Sequence, residues 1–570
     1  MRRGSTVTPR LEVWSARFSV ADPPPACWRP PVPGWAWGLL IASTILVYAN
    51  SLPNGFHYDD LSMIVNNPAV YSVESIPSHF VSVTLGNAEE TPSYRPLLMA
   101  TYALNYAWGR TDPRGYHVVN IVLHLIGACV VILLVWQLTA NGLAAYGAGL
   151  WFALNPVQTE AVNYITARSS LLYAVLSLTT VILFIRFRRA QTWWMLGAAS
   201  LAYAGALLSK EAAAVVPALL VGYDVIVRRC GWRDMGAWVR PHAPFVLLTL
   251  ALVGFRRVLM GSVIPPAYHG DLATVIPTFA AIVAKTLRDQ LAPIGLSASH
   301  AFGPIRSLTP DALVALGVVA GLGAVVMLLR RRVPLVAFAA WWFPVCLLPL
   351  AILPLITSLA LYQENRGYLS AVGVAMLGGP LMAWWWGAGA TRAVLLRRGL
   401  LVVVFVIMAV AVVQRNLVWW DDLTLWTDVL NKAPGNQAAY VNVGAAYQAR
   451  GDLDGAAKVY RRALERFPNN GILHNNLGVI YRSQGDLNRA AGEFQAAIRA
   501  SPRFAMPYYN FGLILQGSGY REEAIAAYQR FLELAPGQQG TPANIPKARQ
   551  RLNELRGTAG QPTEAPALSN

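Results

Sequence analysis

Residues 392–422 read RAVLLRRGLLVVVFVIMAVAVVQRNLVWWDD, and this stretch joins two unlike halves of the chain. Its middle, 400–418, is an apolar run of about the length a helix needs to cross a bilayer, roughly 20 residues for ~30 Å of hydrocarbon. Arg392, Arg397 and Arg398 precede the run, and from Trp419 onward the composition turns polar and alanine-rich. The segment reads as the last of a series of membrane spans and the threshold of a water-exposed region.

Upstream, comparable runs recur near 35–52, 118–137, 142–157, 170–186, 192–208, 211–227, 243–260, 312–329, 334–355 and 369–388. Together with 400–418 they predict an all-α bundle of about eleven spans over 35–418. The composition agrees. Of 570 residues, 55% are apolar and 13% charged, and the mean hydropathy is +0.40, which is membrane-protein territory.

The net charge of +17 does not describe a nucleic-acid stripe, because most arginines sit in short clusters beside the apolar runs. There they carry orientation information. Arg186, Arg188 and Arg189, then Arg228, Arg229, Arg233 and Arg240, then Arg330, Arg331 and Arg332, then Arg392, Arg397 and Arg398 occupy every second connection, with Asp234 as their acidic exception. The intervening connections hold Asp59, Asp60, Glu74, Glu89, Glu90, Asp112, Glu160, Asp271, Asp289 and Glu364. This alternation predicts a cytoplasmic segment 1–34, an uncleaved signal anchor at 35–52, and everything beyond Val418 outside the cytoplasm. The Ala/Arg/Trp-rich usage suggests a bacterial inner membrane, with the C-terminal region in the periplasm. Cys27, Cys129, Cys230 and Cys346 show no CxxC spacing, so neither a disulfide framework nor a zinc site is predicted. Two outside segments, 53–117 and 260–311, exceed simple turns. In the second, the apolar stretch Ala273–Leu296 is interrupted by Lys285, Arg288 and Asp289, which predicts a membrane-surface or re-entrant helix.

Beyond Trp419 a strict 34-residue period appears. Pro434, Pro468, Pro502 and Pro536 keep it, as do Trp426, Tyr460, Phe494 and Tyr528, the glycines Gly444, Gly478 and Gly512, and the alanines Ala456, Ala490 and Ala524. This resembles the tetratricopeptide repeat, an α-solenoid of helix pairs with small residues where the helices cross. A half repeat and three full ones fill 419–536, joined to the last span almost without a linker, which predicts an array near the membrane surface. A capping helix is predicted over 544–556, within a terminal segment 537–570 that is disordered from Gly557. Asn442, Asn476 and Asn510 recur two residues before the column glycine. Their placement resembles the asparagine ladder with which the repeat arm of the nuclear and cytosolic O-GlcNAc transferase grips an extended peptide, since an amide can donate to and accept from a backbone at once. Capping or solubility of the helix face is the alternative.

Chemistry-bearing residues gather at the outside ends of the spans. Phe56-His57-Tyr58-Asp59-Asp60 follows the first span; adjacent carboxylates there suit a general base, a metal site or solvated surface. Ser93-Tyr94-Arg95-Pro96-Leu97-Leu98 comes next, then Gly115-Tyr116-His117 with Asn120 and His124, Asn155-Pro156-Val157-Gln158-Thr159-Glu160-Ala161-Val162, Ser209-Lys210-Glu211, and Glu364-Asn365-Arg366-Gly367-Tyr368-Leu369. Polar groups collected at one face of a multi-span bundle suggest a site. Each has a structural alternative: Glu364 could pair with Arg366, Lys210-Glu211 could be an interfacial ion pair, and Arg95 could anchor a surface helix. His117 and His124 lack a third ligand, so no metal is assigned.

In order, these segments resemble the transmembrane-and-tetratricopeptide-repeat (TMTC-like) family of O-mannosyltransferases, itself similar to the protein O-mannosyltransferases of the GT-C superfamily. The resemblance covers about Tyr48 to Pro536. It implies transfer of a sugar, with inversion, from a polyprenyl-phosphate donor to a Ser or Thr hydroxyl of a polypeptide outside the cytoplasm. Carried over by motif, Asp59 or Asp60 would take the hydroxyl proton, and Arg95, Lys210 and Arg366 would hold the lipid phosphate. Tyr58, His117, Glu160, Glu211, Glu364 and Tyr368 would support them. The lipid-linked sugar is a substrate, and no further cofactor is implied. The chain departs from the family at Asn155 and Gln158, where histidine is common, and at Ala167-Arg168-Ser169-Ser170, where Gly-Arg-x-Asp is common. The sugar is therefore mannose-like rather than fixed as mannose. The alternative is a non-enzymatic adaptor, in which the spans only anchor the repeats.

Overall fold

The structure, a computed structural model, describes residues 32–82, 94–231, 236, 239–260, 271–300, 302–356, 361–387, 389, 391–536, 538 and 540–557. Most of the N-terminal segment with Cys27, the acidic Glu89 and Glu90, Ser93, Arg233 with Asp234, and the tail from 558 lie outside these residues. Among the described residues the chain is helical without strands. It divides into two compact units between Asp421 and Asp422.

In the first unit every one of the apolar runs falls on helix. Among the described residues six helices are long and apolar enough to cross a membrane: Pro113–Thr139, Ile165–Ala190, Arg240–Met260, Pro310–Leu329, Pro334–Ile352 and Arg392–Val418. Gly142–Leu154, Trp193–Ser209 and Ala371–Trp386 are shorter apolar helices, and Gly34–Tyr48 is another short helix. The run at 211–227 is broken into a 3₁₀ turn over Glu211–Val215, an α-helix over Val216–Gly222 and a wider turn over Tyr223–Val227. Pro217 has no N–H to give a ladder bond. Gly222 also lies against the Trp341 indole, which leaves no room for a Cβ.

Local sequence sets the helix starts. The side chains of Asp112, Asn141, Thr309 and Thr391 accept from the N–H groups of Arg114, Ala144, Ala312 and Val394, relieving donors that no helical turn can satisfy. Proline opens the helices at Pro96, Pro113, Pro310 and Pro334, where its missing N–H does no harm. The helix over Arg168–Ala190 is the central member, packed against Pro113–Thr139 and Trp193–Ser209. The outermost helices, by contrast, expose Leu250, Leu328, Leu396 and Ile407.

The interrupted apolar stretch forms the helix Val275–Leu291. It buries Thr278, Ile282, Thr286, Asp289 and Gln290 and packs against Pro310–Leu329. Its two cations share one carboxylate. Asp289 is fully buried and accepts from Lys285 Nζ at 3.0 Å, Arg288 Nε at 2.8 Å and the Tyr362 hydroxyl at 2.7 Å. A second buried knot joins Asp224 to Arg188 at 3.0 Å, His242 at 3.0 Å and Arg228 at 3.2 Å. Both knots obey the same rule: a charge out of water must find its opposite.

The second unit begins with the helix Asp422–Lys432 and continues as three pairs: Gln437–Ala449 with Leu453–Arg466, Gly471–Ser483 with Leu487–Ala500, and Ala505–Gly517 with Arg521–Leu534. Ile545–Gly557 packs on the last of these. Tyr460, Phe494 and Tyr528, fully buried, fill the space left by Gly444, Gly478 and Gly512. A further column, Gly451, Gly485 and Gly519, turns each pair with φ of 78°, 82° and 82°, a left-handed backbone that suits glycine. The close approach is testable. A Cβ on Gly478 would lie 2.7 Å from the Phe494 ring, so Gly478→Val is expected to lower the melting temperature of the second unit by overpacking worth about 1–3 kcal/mol. A surface change such as Gly492→Ala, where a Cβ meets open space, is the control in the same calorimetric scan.

Candidate functional site

The two adjacent carboxylates after the first helix have different surroundings. Asp60 is fully buried. Its Oδ1 accepts from the Thr166 N–H at 2.7 Å and from the Thr166 hydroxyl, and its Oδ2 accepts from the His57 N–H at 3.0 Å. Burial pushes its pKa up to about 6 in spite of these donors. Asp59, one residue earlier, is exposed and accepts from the Tyr164 hydroxyl at 2.8 Å through Oδ2. The residue before it, Tyr58, has φ of 50°, a left-handed conformation that costs a non-glycine residue energy and is held by its surroundings. Its ring meets Tyr164 edge-on at 5.6 Å.

Buried amides fix this turn. Asn54 Nδ2 donates to Asn163 Oδ1 and to the Asn416 carbonyl, each at 3.0 Å. Asn163 Nδ2 donates to Asn416 Oδ1 at 2.7 Å, and Asn416 Nδ2 donates to the Val47 carbonyl at 2.8 Å. The end of the last span closes the same cage. His57 Nε2 donates to the Trp419 carbonyl at 2.8 Å, the Gly55 N–H donates to the Trp420 carbonyl at 3.1 Å, and the Trp419 ring stacks on Tyr164 at 6.1 Å.

The cations come from separate elements. Arg95 stands at the start of Pro96–Gly109 and binds Glu211 with both arms of its guanidinium, Nε to Oε2 at 3.2 Å and Nη2 to Oε1 at 2.8 Å. Arg256 Nη1 reaches the same Oε2 at 3.4 Å. Lys210, at the end of Trp193–Ser209, donates from Nζ to Ser170 Oγ at 2.8 Å. Burial, then the like charges of Arg95 and Arg366, pull its pKa down to about 7. Arg366 feels burial, the opposite charge of Glu160 and the like charge of Arg95, and its pKa is lowered. Arg95 in turn lies within electrostatic reach of Asp59. Arg95, Lys210, Glu211 and Arg366, with Asp59 beside Arg95, thus bring four separate segments of sequence within electrostatic reach of one another.

Glu160 and Glu364 organise the turn that carries Arg366. Glu160 Oε2 accepts from the N–H groups of Glu364 at 2.7 Å and Asn365 at 3.3 Å, and its Oε1 accepts from Asn365 Nδ2 at 2.8 Å. Burial and the nearby Glu364 carboxylate hold its pKa well above the carboxylate range. Glu364 Oε1 accepts from the Ser297 N–H at 2.7 Å and from His300 Nε2 at 3.0 Å. The two histidines noted in sequence are packed: His117 Nε2 donates to the Asn54 carbonyl, while His124 bridges Tyr368 and the Ala153 carbonyl. Asn155 ties the chain to the Gln290 carbonyl at 3.1 Å. Arg168 is fully buried, holding Asn120, Thr101 and the Tyr116 carbonyl.

The asparagine column of the repeats is partly used internally. Asn510 is 4% exposed and bridges Asn475 and Arg482, which sets it apart from an open ladder rung. Asn442 donates to its own helix at Ala438, and Asn476 sits beside Tyr460 and Asn475. Sequence reading passed over Tyr164, Arg256, His300, Arg415 and Asn416. The signal for the last pair was present, since Arg415 and Asn416 are polar residues at the end of an apolar run.

Three comparisons bear on this arrangement. The chain is 30% identical to the Protein O-mannosyl-transferase F38B6.6 of Caenorhabditis elegans over 231 residues, 39% of this chain and 31% of that protein. It is 34% identical to Protein O-mannosyl-transferase Tmtc2 of Drosophila melanogaster over 187 residues, 31% of this chain and 20% of that one. With human Protein O-mannosyl-transferase TMTC2 it shares 32% over 193 residues, 32% of this chain and 23% of that one. The chain thus spans less than a third of the length of the curated relatives it matches. The tetratricopeptide repeat family matches residues 444–503 and 507–538. Among solved structures, the first tetratricopeptide domain of Spaghetti (RPAP3) bound to an HSP90 peptide is 21% identical at a TM-score of 0.20, covering 22% of this chain and 96% of that one. MamA is 20% identical at 0.21, covering 24% and 77%. The chain is an integral membrane protein whose curated homologues are named TMTC protein O-mannosyl-transferases, and its C-terminal region carries tetratricopeptide repeats.

Proposed function

We propose that the chain is a GT-C type membrane glycosyltransferase. It moves a mannose-like sugar from a polyprenyl-phosphate donor to a Ser or Thr hydroxyl of a polypeptide, on the periplasmic side of a bacterial inner membrane. The observation that carries this reading is Arg95, Lys210 and Arg366 within electrostatic reach of one another, with the exposed carboxylate of Asp59 in reach of Arg95. In the reaction the acceptor oxygen bonds to the anomeric carbon as the bond to the phosphate oxygen breaks, with inversion. Asp59 takes the hydroxyl proton, which helps most as bonding to the sugar develops. The lipid phosphate leaves as an anion and needs no proton donor. Arg95 and Arg366 hold it through planar forks, and Lys210 acts as a point charge. Asp60 and Tyr164 set the Asp59 turn, and Glu160 sets Arg366. The repeats present the polypeptide, with Asn442 and Asn476 as its backbone contacts.

The test is transfer of labelled mannose from polyprenyl-phosphate mannose into protein by membranes containing the full chain. Label in Ser/Thr linkage is the expected result; no label above vector membranes would remove the reading. The pH dependence is a second check. Lys210 loses its proton through about 7, so donor binding is expected to weaken as pH rises through that value. Lys210→Arg stays charged and should flatten the profile. For stability the sign is opposite. The unfolded chain keeps the lysine proton to higher pH than the folded one, so folding gains as pH rises above about 7. A melting curve separates the two effects.

A further inference from the structure

Among the described residues Arg95, Lys210, Arg256 and Arg366 gather near the carboxylates of Glu211, Glu160 and Asp59, and Glu160 spends its oxygens on the Glu364–Gly367 turn. Among the described residues Glu211 is the carboxylate that bonds both outer guanidiniums. Its carboxylate is cradled as a phosphate would be, with both oxygens on Arg95 and one on Arg256. Burial, and after it the like charge of Arg95, depresses the Lys210 ammonium beside them.

Two placements give this cluster a direction. Glu211 has a side chain 44% exposed, while Arg95 and Arg256 are 23% and 15% exposed. The carboxylate can therefore swing out, whereas the cations that hold it are enclosed. Arg256 belongs to the helix Ala243–Met260, of which Phe245 is the buried residue and which exposes Val246, Leu247, Leu250 and Val253. On so apolar and so exposed a helix, Arg256 turns its guanidinium inward to Glu211 while its neighbour Arg257 is exposed, which puts a cation within reach of a phosphate arriving on a lipid chain. The neighbouring Phe255 ring rests on Tyr94 at 5.4 Å, which ties that helix to the segment carrying Arg95.

We infer that Glu211 is a displaceable carboxylate occupying the donor-phosphate position in the resting protein, and that Arg256 is the lipid-side arm that receives the phosphate of a polyprenyl monophosphate as Glu211 leaves. The inference rests on the glycosyltransferase reading and extends it to how the donor enters. A bidentate guanidinium fork fits a carboxylate and a phosphate equally well, so exchange keeps every hydrogen bond at Arg95. The carboxylate also shields the cations from one another until a donor arrives.

Binding of farnesyl phosphate to the full-length protein in detergent tests this, with inorganic phosphate as the headgroup without its chain. Glu211→Gln is expected to bind farnesyl phosphate about tenfold more tightly than wild type, because the competing charge is gone. Arg256→Gln should bind it about tenfold more weakly with an unchanged melting temperature. Inorganic phosphate should bind more weakly than farnesyl phosphate and respond in the same direction to Glu211→Gln. If Glu211 merely braces its two arginines, Glu211→Gln will melt lower and bind farnesyl phosphate no more tightly, which overturns the inference. Wild type that transfers sugar but shows that result keeps the glycosyltransferase reading. Wild type that neither transfers sugar nor binds farnesyl phosphate loses both.

Discussion

Asp59→Asn is expected to abolish sugar transfer, by ~10²–10⁴-fold in rate, the range a positioned general base supplies, while the protein melts where wild type does. Asp59 is exposed and spends one oxygen on Tyr164, so an amide there disturbs little of the fold. Asp60→Asn should fail in the opposite way. Three donors converge on the Asp60 carboxylate: the Thr166 N–H, the Thr166 hydroxyl and the His57 N–H. An asparagine must turn its own NH₂ toward one side of that cage, leaving a buried clash of donors worth about 1–3 kcal/mol. The expected outcome is less folded protein and a lower melting point, with turnover per folded molecule largely kept. Measuring rate and melting temperature for both variants separates base from brace. Full transfer by Asp59→Asn, with a dead but stable Asp60→Asn, would reverse the assignment.

Glu160→Ala should do the most structural damage of any single change in this region. It strips the partner from two buried backbone N–H groups and from Asn365 Nδ2, each costing about 1–3 kcal/mol when left unmade. The turn it brackets carries Arg366, so donor affinity and melting temperature are expected to fall together. Glu160→Gln should be far milder. Its carbonyl oxygen can take both N–H groups, and the Asn365 amide can rotate to face the new NH₂. Burial and the adjacent Glu364 already favour the uncharged form of Glu160, so glutamine imitates a state the site prefers. Equal effects of the two changes on melting would show that the bracket is not what holds the turn.

These two expectations mark where sequence reading stopped. The pairing of Asp59 with Asp60 was legible, but their division of labour was not. Neighbouring residues on one turn point in different directions, and which one meets Thr166, 106 positions away, is decided by packing. Glu160, Glu211 and Glu364 were visible as charges near span ends. That Glu160 braces a turn while Glu211 sits across two guanidiniums depends on contacts between residues more than a hundred positions apart. The interruption of the apolar stretch by Lys285, Arg288 and Asp289 suits a membrane-surface or re-entrant helix, but that Asp289 is buried and takes both cations and the Tyr362 hydroxyl is decided by packing.

By itself the sequence determined the all-helical class, the position of most apolar helices and the 34-residue period. Hydrophobic run length and residue periodicity are local properties, and each helix satisfies its own backbone hydrogen bonds wherever it is placed. Only the tertiary structure decided which carboxylate is buried, which arginines meet, and that Asn416 and Trp419 at the end of the last span close the cage around the first loop. Those outcomes turn on desolvation and charge pairing between distant segments, and no local pattern encodes which partner a buried group will find.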